Sequence, residues 1–584
     1  MDKNTIFAIV LSTVVIVAGF TIQSVFFPPV KDTTSVQATV AAPQNTPETV
    51  AVSTETKALP ISAATDPAAE GPSLVEEKSV IETDLVRVEF TNRGGDVVSY
   101  KLKQHGQNDN FLEMADFVSD QNRAFSLALG DANGAVINEL FNTKKISDTE
   151  IGFYRSFSVQ NIDGSLSYFT LAKQYTFIPD EYMFELKVTV DGDASFRGLN
   201  FGSAAYTLKT APQIGPEWNP KQDKYEYRKF YQLLNGKKKA VSIGQNTTKK
   251  VDEKVSWTGV AGKYFTLIAL PETPAQSVLY STRPAVQGES AAQIFMTRGP
   301  ISASRTTDTW RFYIGPRTDK FLTKYNIVTN NPYGLSDAKL DQIVESSGIL
   351  GPLEILLKWL MEFFYKLIPN WGVSIIILTI LMRLIIFPLT KKSSESTLKM
   401  QELQPKIQEI QAKYKENPQR MNEEMAKFYQ QAGYNPMSGC LPMLIQFPLI
   451  FAMYNLFNNY FEFRGALFIP GWIPDLSQGD SLMLLPFTVP FLGWTDLRIL
   501  PFIYVVSQLL FGKVTQTPSS TPQNGSMKFM LYGMPLMFFF IFYNAPSGLL
   551  VYWIFSNLLT LVQQVIINKS LKQKKESGLK LVKK

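Results

Sequence analysis

The run LTILMRLIIFPLT, residues 378–390, holds a single charge, Arg383, among apolar side chains. A guanidinium stays protonated at any physiological pH and offers a rigid fork of donors, so Arg383 is a permanent cation looking for an anion or a carbonyl. It lies seven residues before Thr390, roughly 10 Å along a helix from where the apolar run ends. Thr379 stands one turn earlier on the same helix face. Later apolar stretches carry uncharged polar groups at Gln446, Gln508, Gln563 and Gln564. The stretches 371–389, 439–461, 499–514, 528–543 and 547–568 contain no Asp or Glu. Proton- or cation-coupled carriers rely on acidic relays within the membrane, so this set weighs against one. A lone cation in a one-sided polar groove does something else: at reduced dielectric it draws an acidic, polar chain part-way into the bilayer. The bland alternative is snorkelling toward headgroups.

Elsewhere the reactive inventory is thin. Cys440 and His105 are the single residues of their types, so neither an internal disulfide nor a Cys/His metal cluster can be assembled. A nucleophile–histidine device would have to recruit His105, far from Cys440 in sequence. Enzyme readings therefore start low. Net charge is +6, and its Lys and Arg gather beside apolar segments, which suits a membrane surface and gives no specific nucleic-acid reading motif.

These residues must be held by elements, and the chain divides into recognisable ones. Residues 4–27 are uncharged and long enough to cross a bilayer core of about 30 Å. With no small-x-small cleavage site before Pro28, 1–29 reads as an uncleaved signal-anchor helix. Residues 30–78 are rich in Thr, Ala, Pro, Val and Ser without periodicity, a flexible linker. From 79 the texture alternates, as in LVRVEFTNRGGDVVSYKLKQ, and short strands with Gly/Pro/Asp turns predict a β-sandwich domain over 79–330. A connector, 331–370, contains GPLEILLKWLMEFFYKL, where Glu354, Lys358, Glu362 and Lys366 form one stripe on an amphipathic interfacial helix. The core, 371–568, follows with five spans at about 371–389, 439–461, 499–514, 528–543 and 547–568, and a basic tail, 569–584, closes the chain. The expected fold class is therefore a polytopic α-helical membrane protein of six transmembrane helices with an inserted all-β domain outside the membrane. SLMLLPFTVPFLGW, 481–494, is too short and proline-rich to span and reads as interfacial or re-entrant.

Lys and Arg set the orientation. Eight fall between Lys391 and Lys427 and seven from Lys569 onward, against Arg464 and Arg498 in the 462–498 loop. Both termini are placed in the cytoplasm and the β-domain outside. The cytoplasmic loop has its own pattern. Leu403, Ile407, Ile410 and Tyr414 step by three and four, ENPQ interrupts, and Met421, Met425 and Phe428 repeat the spacing. That predicts an antiparallel helical hairpin over 393–434, a docking arm or a spacer.

The motifs LMRLIIFPLTKK, LQPKIQEI, GYNPMSGCLPMLIQFPLIFAMY and APSGLLVYWIFSNLLTLVQQ, in this order across about 352–575, resemble the YidC family of bacterial membrane protein insertases. The anchor, linker and external domain are similar to the form found in two-membrane bacteria, where the domain is a periplasmic β-supersandwich. The resemblance implies insertion and chaperoning of nascent membrane proteins into the lipid bilayer of the inner membrane, alone or with the Sec translocon. It implies a groove open to cytoplasm and lipid, with Arg383 as its cation and Thr379 and Trp553 among its substrate-facing positions. It implies ribosome contact through the hairpin and the basic tail. Two other readings stay open on the residues alone. One is a solute transporter or channel with an external receptor domain; the other is an external-domain enzyme using His105 or Glu181, Glu185 and Asp191.

Overall fold

In the alternating stretches every second residue is buried, and each stretch is a strand. Along Leu166–Phe177 the side chains of Phe169, Leu171, Tyr175 and Phe177 turn inward, and along Met183–Gly192 those of Phe184, Leu186, Val188 and Val190. The antiparallel register sets Tyr175 opposite Leu186 and Leu186 opposite Trp310, so a buried row crosses three strands. The computed structural model describes residues 62–63, 74–106, 110–160, 166–218, 225–284, 291–345, 348–434, 441–489, 492–515 and 532–582. The expected anchor over 1–29, nearly all of the linker and the loop before the fifth span lie outside them.

Ten strands make the largest sheet, running in space from Glu150–Gln160 through Leu166–Phe177, Met183–Gly192, Arg305–Pro316, Phe265–Pro271, Trp257–Ala261 and Lys229–Leu234 to Lys237–Val241, with short strands added beside the first. A five-stranded and a four-stranded sheet pack with it around one apolar core. That core also takes in Leu340 and Ile343, so the first part of the expected connector belongs to the β-domain. One core position is ionic. Lys173 Nζ lies 2.5 Å from Asp96 Oδ1, and Arg123 Nε donates to Asp96 Oδ2 at 2.9 Å, all three residues being buried. Two cations on one carboxylate, backed by the carbonyls of Gly94 and Phe125, satisfy charges that alone could not be buried.

From Gly351 onward the described chain is mainly helical. Helix α1 is Gly351–Leu367, α2 Trp371–Lys413, α3 Pro418–Gln431, α4 Leu441–Asn459, α5 Leu500–Thr515, α6 Met534–Phe542 and α7 Ser547–Val582. Two stretches among the described residues are long and apolar enough to cross a membrane, Trp371–Ser396 and Ser547–Ser570; Leu500–Lys513 is apolar but shorter.

Three features add to or differ from the sequence expectation. The span beginning at Trp371 and the first arm of the hairpin are one continuous helix of 43 residues, with Pro388 and Pro405 inside it, about 65 Å long. Three charges of the α1 stripe, Glu354, Lys358 and Glu362, are turned toward the protein and Lys366 is exposed: Glu362 accepts from the Tyr460 hydroxyl at 3.0 Å, and Lys358 lies over the Tyr460 ring. Its exposed side is Ile355, Leu356, Trp359, Phe363 and Leu367, the face a helix shows to lipid. Within 481–497, where the segment read as interfacial or re-entrant lies, the described residues finally include a two-stranded ribbon, Met483–Leu484 against Asp496–Leu497.

Candidate functional groove

Helix α2 begins at Asn370, whose side-chain oxygen accepts from the Val373 amide at 3.1 Å, capping the first turn. Ile375 and Leu378 then bury against the bundle. Thr379 follows, 1% exposed, and its hydroxyl donates to the Ile375 carbonyl at 2.6 Å. Arg383 comes one turn later and is half-buried. Its guanidinium donates to Ser556 Oγ on α7. The Arg383 backbone carbonyl accepts from Gln563 Nε2 at 2.9 Å. Ser394 Oγ donates to Gln564 Oε1 at 3.3 Å about three turns further along. A polar seam therefore ties α2 to α7 between apolar surfaces.

The other flank of α7 meets α5. Asn557 Nδ2 donates to Ser507 Oγ at 3.0 Å, and Ser507 Oγ to the Tyr504 carbonyl at 2.7 Å. Gln508 Nε2 donates to the Tyr504 hydroxyl at 2.9 Å. Trp553 is half-buried, its ring 5.6 Å from Tyr504 and 4.6 Å from Phe542, so it closes the aromatic floor between α5, α6 and α7.

Of the expected groove residues, Arg383 bonds to α7 and Trp553 lies on it, while Gln508 bonds within α5 to Tyr504, whose ring faces Trp553. Thr379 shares the face of Arg383 but spends its hydroxyl on its own helix. Gln446, half-buried on α4, is not among the residues that bond across α2, α5 and α7. Sequence reasoning missed Ser556, Asn557, Ser507 and Tyr504. A signal was there: Ser556, Thr560 and Gln563 step by four and three, and Asn557 and Gln564 by seven, two adjacent polar stripes on one helix.

The electrostatics are those of an incompletely matched cation. The partner of the Arg383 guanidinium is a neutral hydroxyl, which leaves most of the charge uncompensated in a poorly solvated place. Beside it, Gln563 Oε1 is buried without a partner among the described residues. The site offers donors and a positive potential, with no nucleophile–base pair in it.

The hairpin residues lie apart from the seam. Ile407 is buried, while Leu403, Ile410 and Tyr414 on α2 and Met421, Met425 and Phe428 on α3 are half-buried. Asn417 caps α3 by accepting from the Arg420 amide at 3.1 Å, and the Arg420 guanidinium sits over the Tyr414 ring. In the β-domain the carboxylates considered for catalysis are engaged separately. Glu181 binds Lys324 and the Tyr325 hydroxyl, Glu185 binds Arg311, and Asp191 faces Arg305.

The chain matches two known families along its length. Residues 78–344 match the family described as the YidC periplasmic domain, and residues 363–575 the family described as the 60Kd inner membrane protein. It is 53% identical to a Treponema denticola protein named membrane protein insertase YidC, with 98% of this chain and 100% of that one aligned. It is 45% identical to the Treponema pallidum protein of the same name, again over 98% of this chain and 100% of that one. Among solved structures it is similar to one titled an active YidC insertase with its first transmembrane domain resolved, at 18% identity and a TM-score of 0.31, covering 87% of this chain and 94% of the other. Near-full-length identity of this order, spanning both the β-domain and the helices, shows that the chain belongs to the YidC family of membrane protein insertases.

Proposed function

We propose that this protein receives nascent membrane proteins in the groove between α2, α5 and α7 and releases their hydrophobic segments into the bilayer. The observation that carries the reading is Arg383, whose guanidinium is held by Ser556 and not by a carboxylate. A polar or acidic stretch of a client supplies the missing charge and hydrogen bonds, and the unpartnered Gln563 Oε1 accepts a further donor. The client's apolar part meets exposed side chains of α4 and α7, Phe447, Leu558 and Val565, on the way to lipid.

The architecture in this reading has six transmembrane helices, five of them in the core, with both termini cytoplasmic and the β-domain periplasmic in the inner membrane. The α2–α3 hairpin and the basic tail meet the ribosome, and the Sec translocon is the second partner. No cofactor takes part.

The test is site-specific photocrosslinking from Thr379 and Trp553 to a ribosome-held chain carrying a single hydrophobic segment, with Leu536 as a lipid-facing comparison. Crosslinks from the groove that appear while the chain is short and fade on release support an insertion path. Equal crosslinking from all three positions, or none from the groove, overturns it.

A further inference from the structure

The ribbon between α4 and α5 carries apolar side chains at its exposed end and polar ones at its foot. Leu482, Met483, Leu484, Phe487 and Leu492 are all exposed, Leu484 at 74% and Phe487 at 61%. Between Asp480 and Asp496 the sequence has no charged residue. The arrangement is rigid rather than collapsed. Leu482 N donates to Leu497 O at 3.0 Å, Leu485 N to Thr495 O at 2.8 Å and Val489 N to Trp494 O at 2.9 Å. The foot is fixed to the bundle: the Trp494 ring stacks on Tyr543 at 3.5 Å, and the Tyr543 hydroxyl donates to the Asp496 carbonyl at 2.7 Å. Asp480 accepts from the first amides of α5, Ile499 N at 2.7 Å and Leu500 N at 3.0 Å.

The geometry points to the ribbon as a lipid anchor, its apolar end immersed in the outer leaflet with Trp494 and Tyr543 at the headgroup level. Three observations choose lipid as its occupant. Exposed apolar side chains recur on the two helices that the foot joins, on α5 at Phe502, Ile503 and Val506 and on α6 at Leu536 and Phe540. Charged groups, Asp480, Asp496 and Arg498, are confined to the foot. Amphipathic aromatics where an apolar band ends are the signature of a bilayer boundary. The ribbon fixes the depth of the α5 and α6 outer ends, because its foot caps one helix and stacks on the last residues of the other. This inference rests on the membrane-spanning reading of the core.

The experiment uses the full chain in liposomes with Cys440→Ser, which removes the single native thiol. An environment-sensitive fluorophore is placed through Phe487→Cys or, as a reference on α7, through Val562→Cys, a position 56% exposed. Lipids brominated near the headgroup should quench the label at 487 several-fold more than aqueous iodide does, and lipids brominated at mid-chain should quench the label at 562. Phe487→Asp, read with the label at Leu484→Cys, should lower the lipid quenching several-fold. A label at 487 that iodide quenches fully and lipid does not, with 562 still quenched by lipid, overturns the anchor alone. Loss of lipid quenching at both positions overturns the spanning reading together with the anchor.

Discussion

Arg383 matters for its partner as much as for its charge. A hydroxyl accepts one of its five N–H groups, so the side chain is held in place but not neutralised. Arg383→Lys keeps the positive potential and loses the fork, and should retain much of the insertion activity; Arg383→Glu reverses the field and should abolish insertion of clients with acidic flanks. Protease protection of radiolabelled clients reads both, and normal insertion by the Glu variant would remove electrostatic attraction from the mechanism. Arg383 was legible at once, being a charge in an apolar run. Ser556 was not, because it lies 173 residues away and serine is unremarkable in a membrane helix. The same holds for Lys173, which occupies an inward strand position because the Asp96 carboxylate and the Gly94 and Phe125 carbonyls accept from it there. Lys173→Met should leave the Arg123–Asp96 pair charge-matched and strand those buried acceptors, lowering stability by about 1–3 kcal/mol in thermal unfolding of the whole chain.

At the level of elements, alternation exposed the strands and the four-residue charge spacing exposed α1. Which way α1 faces was not legible. In water the stripe of Glu354, Lys358, Glu362 and Lys366 would be the outside, but Trp359 and Phe363 face out and only Lys366 of the four charges is exposed. Pro388 and Pro405 each lack an N–H and crowd the preceding turn, yet α2 passes through both, as helices supported by neighbouring helices can. The segment 481–494 reads in sequence as interfacial or re-entrant, and the cross-strand pairing of its ribbon was not legible there. Its foot supplies a prediction: Asp480 is 1% exposed and caps α5, so Asp480→Ala should cost about 1–2 kcal/mol. Hydrogen exchange should then speed up in the first turn of α5 while the β-domain amides stay unchanged.

On the scale of the molecule, the β-domain and the helical bundle meet at the single histidine. His105 Nε2 shares a hydrogen bond of 2.8 Å with the Tyr182 hydroxyl, its ring stands edge-on to Phe461 at 5.2 Å, and Arg464 donates to its carbonyl oxygen. Burial, with the nearby Arg464 and Lys320 cations, pushes the imidazole down to about 4. A base whose affinity for protons falls on folding binds fewer protons folded than unfolded. Its contribution is therefore complete above about pH 6.5 and declines as pH falls toward 4. Exchange protection around 461–464 should weaken over that window, and His105→Gln, which keeps a polar partner for Tyr182, should flatten the dependence. An unchanged pH profile in that variant would place the sensitivity elsewhere.

The unbroken helix α2 has a mechanical consequence. Arg383 lies five residues before Pro388, and Lys413, at the far end, lies 25 residues after it. With Pro388 as pivot and about 1.5 Å of rise per residue, the arms are unequal by a factor of about five. A tilt of about 10° that carries Lys413 through about 6 Å moves the level of Arg383 by little more than 1 Å. Whatever grips the hairpin holds the long arm of a lever whose short arm is the cation in the groove.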